Sequence, residues 1–133
     1  MKKFIVLIFI ITLTFANHIK WQGSYAKALE RAKIENKSLM VLLIKSNCKE
    51  CQRVVKDIFS NKEYVDELNS KFISVIINFD SRVSYPIEMY YSNDFPTLFF
   101  VNSKSETFIK KPIYRDITEQ KIKEFLKNFD SNQ

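Results

Sequence analysis

The stretch that decides the fold runs from Leu39 to Cys51 and has the sequence LMVLLIKSNCKEC. Its first part, residues 39–44, is an unbroken apolar run, which predicts a strand buried on both faces. The only two cysteines of the chain, Cys48 and Cys51, follow this strand three positions apart. From Cys51 onward, apolar residues recur with a helical period at positions 54, 55, 58 and 59.

This placement favours a reactive thiolate at Cys48. A strand that ends in Cys-x-x-Cys and runs into a helix puts the first sulfur at the helix N-terminus. There, backbone N–H groups and the helix dipole stabilise negative charge. Two cysteines that lie one helical turn apart can also close a reversible disulfide. The stretch therefore indicates redox chemistry.

Length and composition predict one domain that carries its own core. The chain has 133 residues, of which 46% are hydrophobic. Its formal charge of +6 comes from lysines and arginines scattered among 15 acidic residues, with no basic run of five or more. Such a pattern is typical of a solvated surface, so we expect no nucleic acid partner. No insertion is long enough for a dimerisation domain, so we expect a monomer.

The N-terminal residues 1–16 have the pattern of a signal peptide. Lys2 and Lys3 precede an apolar stretch over residues 4–15, and Ala16 ends an acceptable cleavage site. The stretch is too short for a relaxed membrane span. We therefore expect export to the periplasm and a single domain over residues 17–133. The alternative is an uncleaved N-terminal anchor.

Export changes the interpretation of the cysteine pair. In an oxidising compartment, a lone pair of cysteines forms a disulfide unless a partner reduces it. A disulfide that closes so short a loop stabilises the fold little, because little chain entropy is removed. The spacing therefore favours a functional pair over a structural one.

Three further helices are predicted besides the one that begins at the cysteines. The first has apolar residues at positions 25, 28, 29 and 32. Another is predicted by Ser60 and Glu63, which have the spacing of a capping box. The last begins at Thr118 as N-cap and ends before a polar tail over residues 130–133. A hydrophobic staple supports its start, formed by Ile117 and Ile122.

The remaining strands are predicted over residues 72–79, 97–101 and about 106–110. Residues 80–96 form a polar, Tyr-rich connection, and residues 102–105 predict a hairpin turn. The element order is therefore α-β-α-α-β-β-β-α. A helical crossover joins the first two strands and a hairpin joins the last two. This order predicts an α/β fold, with a mixed central sheet flanked by helices on both faces.

This order, with Cys48-Lys49-Glu50-Cys51 after the first core strand and Phe95-Pro96-Thr97 before the third, resembles the thioredoxin-fold superfamily. The similarity covers about residues 22–129. Within the superfamily, the chain is similar to small secreted thioredoxin-like proteins and more weakly to thioredoxins linked to sulfur oxidation. The resemblance implies a thioredoxin-like fold and a thiol:disulfide oxidoreductase that needs no cofactor. It also implies protein thiols and disulfides as partners, with a membrane-bound thiol carrier as electron donor.

The resemblance also implies roles for individual residues. Cys48 would be the nucleophile and Cys51 the residue that resolves the mixed disulfide. Pro96 matches the family's cis-proline, and Phe95 would offer its backbone to an extended substrate segment, with Thr97 completing the substrate-binding stretch. From the residues alone, an ordinary trans proline at the start of a strand is the alternative reading of Pro96.

Several residues near the motif depart from the family pattern or could tune it. Asn47 stands where thioredoxins usually carry Trp, and Leu42 stands where many carry a buried Asp. Asp94 is either a substitute proton acceptor or a solvated loop residue. Lys49 favours the Cys48 thiolate and Glu50 opposes it, unless both are simply solvated. The direction of electron flow does not follow from these residues.

Other uses of the cysteines compete with redox exchange. Zinc needs four ligands, whereas the chain offers two cysteines and the distant His18, so no metal site is predicted. Covalent haem needs a histidine after the second cysteine, but position 52 is glutamine. A Cu(I) carrier that uses two thiolates is an alternative, and so is a redox-inactive protein-binding module. The aromatic residues of the connection line a substrate groove or cap the core: Tyr85, Tyr90, Tyr91 and Phe95.

Overall fold

The fold is seen in a computed structural model that describes residues 18–81 and 84–131. The predicted signal peptide, residues 1–16, lies outside the described residues. In chain order the elements are β1 (Trp21–Gln22), α1 (Tyr25–Glu35), β2 (Ser38–Ile44), α2 (Lys49–Arg53) with a π-helical turn (Val54–Ile58), α3 (Lys62–Lys71), β3 (Phe72–Asn78), β4 (Thr97–Asn102), β5 (Thr107–Phe108), β6 (Ile113–Tyr114) and α4 (Glu119–Ser131).

The predicted central strand, β2, lies in the middle of a mixed sheet. The strand order is β1-β3-β2-β4-β5, and β6 also pairs with β4. β2 is parallel to β3 along its whole length and antiparallel to β4, with Leu43 opposite Thr97. Because β2 and β3 are parallel, the chain needs the crossover that α2 and α3 supply. Burial on both sides explains the unbroken apolar run of β2.

Residues of β2 alternate between two cores on opposite faces of the sheet. Met40 and Leu42 face the first core, which is covered by the π turn, α3 and α4. Leu39, Val41 and Leu43 face the second, which is covered by α1 and the Tyr-rich connection. The predicted mixed sheet with helices on both faces is therefore confirmed.

A pair of tyrosines attaches the connection to α1. The hydroxyl oxygens of Tyr25 and Tyr90 share a hydrogen bond of 2.8 Å, and the two rings meet edge to face. Tyr90 also packs against Phe99 of β4 and is fully buried. Tyr85 is buried as well, whereas Tyr91 is 59% exposed. Tyr85 and Tyr90 therefore belong to the core.

The structure differs from the predicted elements at several boundaries. Asn61, not Ser60, is the N-cap of α3, since the Asn61 side chain accepts a hydrogen bond from the Glu63 N–H. The Ser60 hydroxyl donates instead to the carbonyl of Lys56. The π turn contains one more residue than a turn of α-helix. This extra residue moves the cap of α3 from Ser60 to Asn61.

The edges of the sheet and the C-terminus also differ. The two-residue strands β1 and β6 were not predicted, and β5 covers only part of the stretch 106–110. The predicted polar tail is wrong for residues 130–131, which continue α4, because Asp130 pairs with Lys71 of α3. Residues 132–133 lie outside the described residues. Thr118 caps α4 as predicted, accepting from the Lys121 N–H at 3.3 Å.

The corrected cap of α3 can be tested by mutation. Asn61→Ala removes the acceptor for the Glu63 N–H and should lower the free energy of unfolding by about 1 kcal/mol. Ser60→Ala, one residue earlier, is the matched control and should cost less than about 0.5 kcal/mol. Urea unfolding measures both. A larger loss for Ser60→Ala would show that the cap lies where the sequence pattern placed it.

The tyrosine pair predicts a loss of stability at alkaline pH. Burial, and then the hydrogen bond with Tyr25, raise the pKa of Tyr90 well above its ordinary value of 10.0. Above pH 10 the unfolded chain releases this proton while the folded chain keeps it, so stability falls as pH rises. The slope from Tyr90 should approach about 1.4 kcal/mol per pH unit, and Tyr90→Phe should remove it. Parallel slopes for the two proteins between pH 10 and 11 would contradict this prediction.

Candidate active site

The two cysteines form a disulfide at the start of α2. Their Cα atoms are 5.2 Å apart. Cys48 is the N-cap of the helix, and its Sγ accepts a hydrogen bond from the Cys51 N–H at 3.1 Å. Cys51 is only 3% exposed, whereas Cys48 is half-buried. The Cys48 sulfur is therefore the one that a partner can reach, and it already has a backbone donor.

A short loop tethered to β3 carries the chain from β2 to Cys48. The Phe79 N–H donates to the Ile44 carbonyl at 2.8 Å, and the Ser46 N–H donates to the Asp80 carboxylate at 2.9 Å. Asn47 then adopts a left-handed conformation with φ 57°. Asparagine tolerates this region better than most side chains, and the turn directs the chain into α2. Asn47 is exposed beside Cys48, at the position where thioredoxins usually carry tryptophan.

The predicted substrate segment lies at the same end of the sheet. The Phe95–Pro96 peptide bond is cis, and Pro96 is buried. Phe95 is half-buried and lines a cavity together with Cys48. No hydrogen bond from the part of the chain that the structure describes engages the Phe95 backbone. That backbone is therefore open to an extended segment.

Thr97 supports this segment from the inside. Its side chain is fully buried, and Oγ1 lies 2.6 Å from the Asp94 carbonyl and 2.9 Å from the Ser92 hydroxyl. The Ser92 hydroxyl in turn accepts from the Asp94 N–H at 3.0 Å. These bonds shape the turn that precedes Phe95. Because it is buried, the Thr97 side chain cannot contact a substrate.

Two cavities flank the disulfide. The Cys48 cavity has a volume of about 250 Å³ and is lined by Lys45, Cys48, Lys49, Glu50, Asn93, Asp94, Phe95 and Arg115. The Cys51 cavity has a volume of about 550 Å³ and is lined by Ile44, Lys45, Ser46, Asn47, Cys48, Cys51, Gln52, Val55, Lys56, Ile76 and Asn78. Of the residues expected to tune the cysteines, Lys49, Glu50 and Asp94 line the Cys48 cavity and Asn47 lines the Cys51 cavity.

The carboxylates lie on the Cys48 side of the disulfide. Glu50 accepts hydrogen bonds from Arg53 at 2.5 and 3.0 Å, and this contact holds the pKa of the Glu50 carboxyl below its usual value. Asp94 is exposed and lines the Cys48 cavity. No carboxylate among the described residues lines the Cys51 cavity, and Leu42 is buried in the core. The structure therefore places Asp94 beside Cys48 rather than beside Cys51.

Two cations at the site were missed from the sequence. Lys45 follows β2 directly, and its ammonium lies 5.2 Å from the centre of the Phe95 ring. Arg115 follows β6 with φ 60°, and its N–H donates to the Pro96 carbonyl at 2.8 Å. Lys45 could have been noticed, because it directly follows the decisive strand. No local pattern marks Arg115, since only the pairing of β6 with β4 brings it here.

Within residues 18–81 and 84–131, no group of three or more His, Cys, Asp or Glu side chains is arranged to hold a metal ion. In the same residues, no helix combines the length and apolar character that a membrane crossing requires.

Residues 20–103 match a family model described as thioredoxin-like. The chain belongs to this thioredoxin-like family. A thioredoxin from Thermus thermophilus has a similar structure, with a TM-score of 0.71, 18% identity and coverage of 84% of this chain and 87% of that one. A putative disulphide-isomerase from Bacteroides thetaiotaomicron has a TM-score of 0.69, 25% identity and coverage of 85% and 93%.

A relative known from its sequence is an uncharacterized protein of Borreliella burgdorferi. It is 29% identical over 119 residues, which cover 80% of this chain and 48% of the relative. The chain thus spans about half the length of the curated relative it matches. The chain thus combines the thioredoxin-like family and fold with a disulfide between Cys48 and Cys51 at the start of α2.

The role of Thr97 gives a test of how the site is held in shape. Thr97→Val keeps the volume but leaves the Ser92 and Asp94 groups short of a partner, so it should lower the free energy of unfolding by about 1–3 kcal/mol. Thr107→Val makes the same change at an exposed position of β5 and should cost less than about 0.5 kcal/mol. Equal costs in urea unfolding would show that the buried hydroxyl does not support the turn.

Proposed function

We propose that this protein is an exported thiol:disulfide oxidoreductase in which Cys48 exchanges with partner proteins and Cys51 resolves the mixed disulfide. The observation that carries the proposal is the asymmetry of the pair. The Cys48 sulfur is accessible and accepts a hydrogen bond from the Cys51 N–H, whereas Cys51 is buried. A backbone donor stabilises the thiolate, so Cys48 is suited both to attack and to leave.

In the reducing direction, the Cys48 thiolate attacks one sulfur of a partner disulfide. A Cys48–partner bond forms, and the second partner sulfur leaves as a thiolate. Cys51 then loses its proton, and its thiolate attacks the Cys48 sulfur. The Cys48–partner bond breaks, the partner leaves with both sulfurs reduced, and the protein holds the disulfide. Oxidation of a partner dithiol is the same sequence in reverse.

Solvent is the proton acceptor for Cys51 in this mechanism. Leu42 is apolar and buried, and the described lining of the Cys51 cavity holds no carboxylate. The cavity itself is large enough to admit water to the base of α2. Water in this cavity is therefore the proposed acceptor of the Cys51 proton.

The proposed location and partners follow from the sequence pattern and from the chemistry. Residues 1–16 have the composition of a signal peptide, which supports a periplasmic location. In an oxidising compartment, a reductase must be recharged, and a membrane-bound thiol carrier would supply the electrons. The open Phe95 backbone suits an extended protein segment as substrate. A monomer suffices, because both sulfurs and the groove come from one chain.

Replacing the resolving cysteine should trap the intermediate. Reduced Cys51→Ala, mixed with a peptide disulfide, should accumulate a protein–peptide mixed disulfide at Cys48, detected by intact mass. The wild-type protein should release reduced peptide and accumulate no adduct, because Cys51 resolves it. Cys48→Ala is the matched control and should form at least about tenfold less adduct, since the Cys51 sulfur is buried.

Two results would count against the proposal. Equal adduct yields from Cys51→Ala and Cys48→Ala would remove the assigned roles. Failure of the reduced wild-type protein to reduce any peptide disulfide would favour a redox-inactive module. Titration with Cu(I) tests the carrier alternative on the same reduced sample. Stoichiometric, tight Cu(I) binding without peptide reduction would support that alternative.

A further inference from the structure

The described lining of the Cys48 cavity holds more cations than carboxylates. Three cations line it: Lys45, Lys49 and Arg115. Within the part of the chain that the structure describes, none of them lies within 4.0 Å of a carboxylate. Lys45 lies over the face of the Phe95 ring, which orients its ammonium toward the groove and leaves its charge intact.

Among the described residues, the carboxylates that line the Cys48 cavity or the adjoining pocket beside Arg115 have cationic partners of their own, with one exception. Arg53 binds Glu50, and Lys121 binds Asp116 at 3.0 Å. Asp94 is the exception, since no ion pair with another described residue engages it. Among the described residues that line the Cys48 cavity, three cations without an ion pair therefore face two carboxylates, of which Glu50 is already bound to Arg53. The local balance favours a negatively charged partner.

The backbone at Arg115 adds weight to this balance. With φ 60°, this residue lies in the left-handed region, where a side chain costs free energy that glycine would avoid. The Arg115 N–H bond to Pro96 fixes the turn beside the substrate segment. Unfavourable backbone conformations that persist in proteins cluster at functional sites. A guanidinium held here is thus placed against whatever docks beside Phe95.

We infer that the Cys48 cavity selects polypeptide disulfides whose cysteines are flanked by acidic residues, with Lys45, Lys49 and Arg115 as the specificity determinants. The inference rests on the proposed function and names its class of substrate. A polypeptide is the occupant because the Phe95 backbone, which has no hydrogen bond to another described residue, offers it strand-like hydrogen bonds next to the three cations. Carboxylates on either side of the substrate cysteine would then meet the cations.

Symmetric peptide disulfides make the selectivity measurable. In each reaction one peptide disulfide and the reduced protein give two peptide thiols and the Cys48–Cys51 disulfide, so two electrons pass to the peptide. Three peptides carry their cysteine between glutamates, serines or lysines. The rate at which the protein reduces each peptide is divided by the rate at which dithiothreitol, an uncharged reductant, reduces the same peptide. This ratio corrects for differences in the intrinsic reactivity of the peptide disulfides.

The wild-type protein should prefer the glutamate peptide over the lysine peptide by about tenfold at low ionic strength, since several exposed charge pairs contribute. High salt should reduce this preference to near unity. Lys49→Glu combined with Arg115→Glu should reverse it. Lys104→Glu makes a single reversal of charge in the β4–β5 turn, at the opposite end of β4 from Thr97, and should keep the wild-type ratio.

Arg115→Gly is a second variant that suits the local backbone. It removes the whole side chain together with its charge, and should lower the preference for the glutamate peptide about threefold with no loss of fold by circular dichroism. Equal ratios for wild type and the double variant, or the same change in Lys104→Glu, would overturn the inference.

Two further measurements distinguish failure of this inference from failure of the proposed function on which it rests. If the serine peptide is reduced by wild type and not by Cys48→Ala, the proposed function stands, and the charge ratios alone decide the inference. If no peptide is reduced, both fall. Oxidised glutathione is the small anionic probe. If it reacts faster than the glutamate peptide and shows the full sensitivity to Arg115, the cavity serves a small disulfide, and the polypeptide assignment is wrong.

Discussion

The two-sided pairing of β2 is the constraint on which the rest of the molecule depends. Its backbone is bonded to β3 on one side and to β4 on the other, and both of its faces are buried. Where this strand ends at Ile44, the chain leaves the sheet next to the start of β4, and the cysteine loop and the Phe95–Pro96 segment are brought together. The disulfide crosses only the first turn of α2, so the two cores, rather than the sulfur bridge, hold the fold.

Elements that bury many apolar side chains could be predicted from sequence, and those created by pairing could not. Long apolar or periodic patterns mark β2, β3, β4 and one face of α4. Each of these elements buries many apolar side chains in a core, so its own sequence must supply them. β1 and β6 have only two residues each and exist because β3 and β4 offer open backbone beside them. The cap of α3 was misplaced because Ser60 and Asn61 are both good N-caps, and the π turn before them decides between the two.

The same division applies to the site. Cys48, Cys51 and Phe95 follow from motifs that are local in sequence. The structure brings Cys48 and Phe95 to one cavity, and Cys51, which is bonded to Cys48, lines the neighbouring one. Thr97 belongs to the same local stretch, yet strand alternation turns its hydroxyl inward, where it supports Asp94 and Ser92. Arg115 is distant in sequence and reaches the cavity only through the register of β6 on β4. The charged residues around Cys48 are therefore brought together by the tertiary structure, whereas the spacing of the two cysteines can be recognised from the local sequence.

The central claim is that Cys48 and Cys51 interchange between dithiol and disulfide as a working redox couple. The most direct test is equilibration of the protein with glutathione buffers while the fold is followed by circular dichroism. The mechanism predicts one reversible two-electron transition with a potential between about −270 mV and −120 mV, the range of thioredoxin-like catalysts, and a native spectrum in both states. A potential below about −300 mV, as for structural disulfides, or unfolding on reduction, would contradict it.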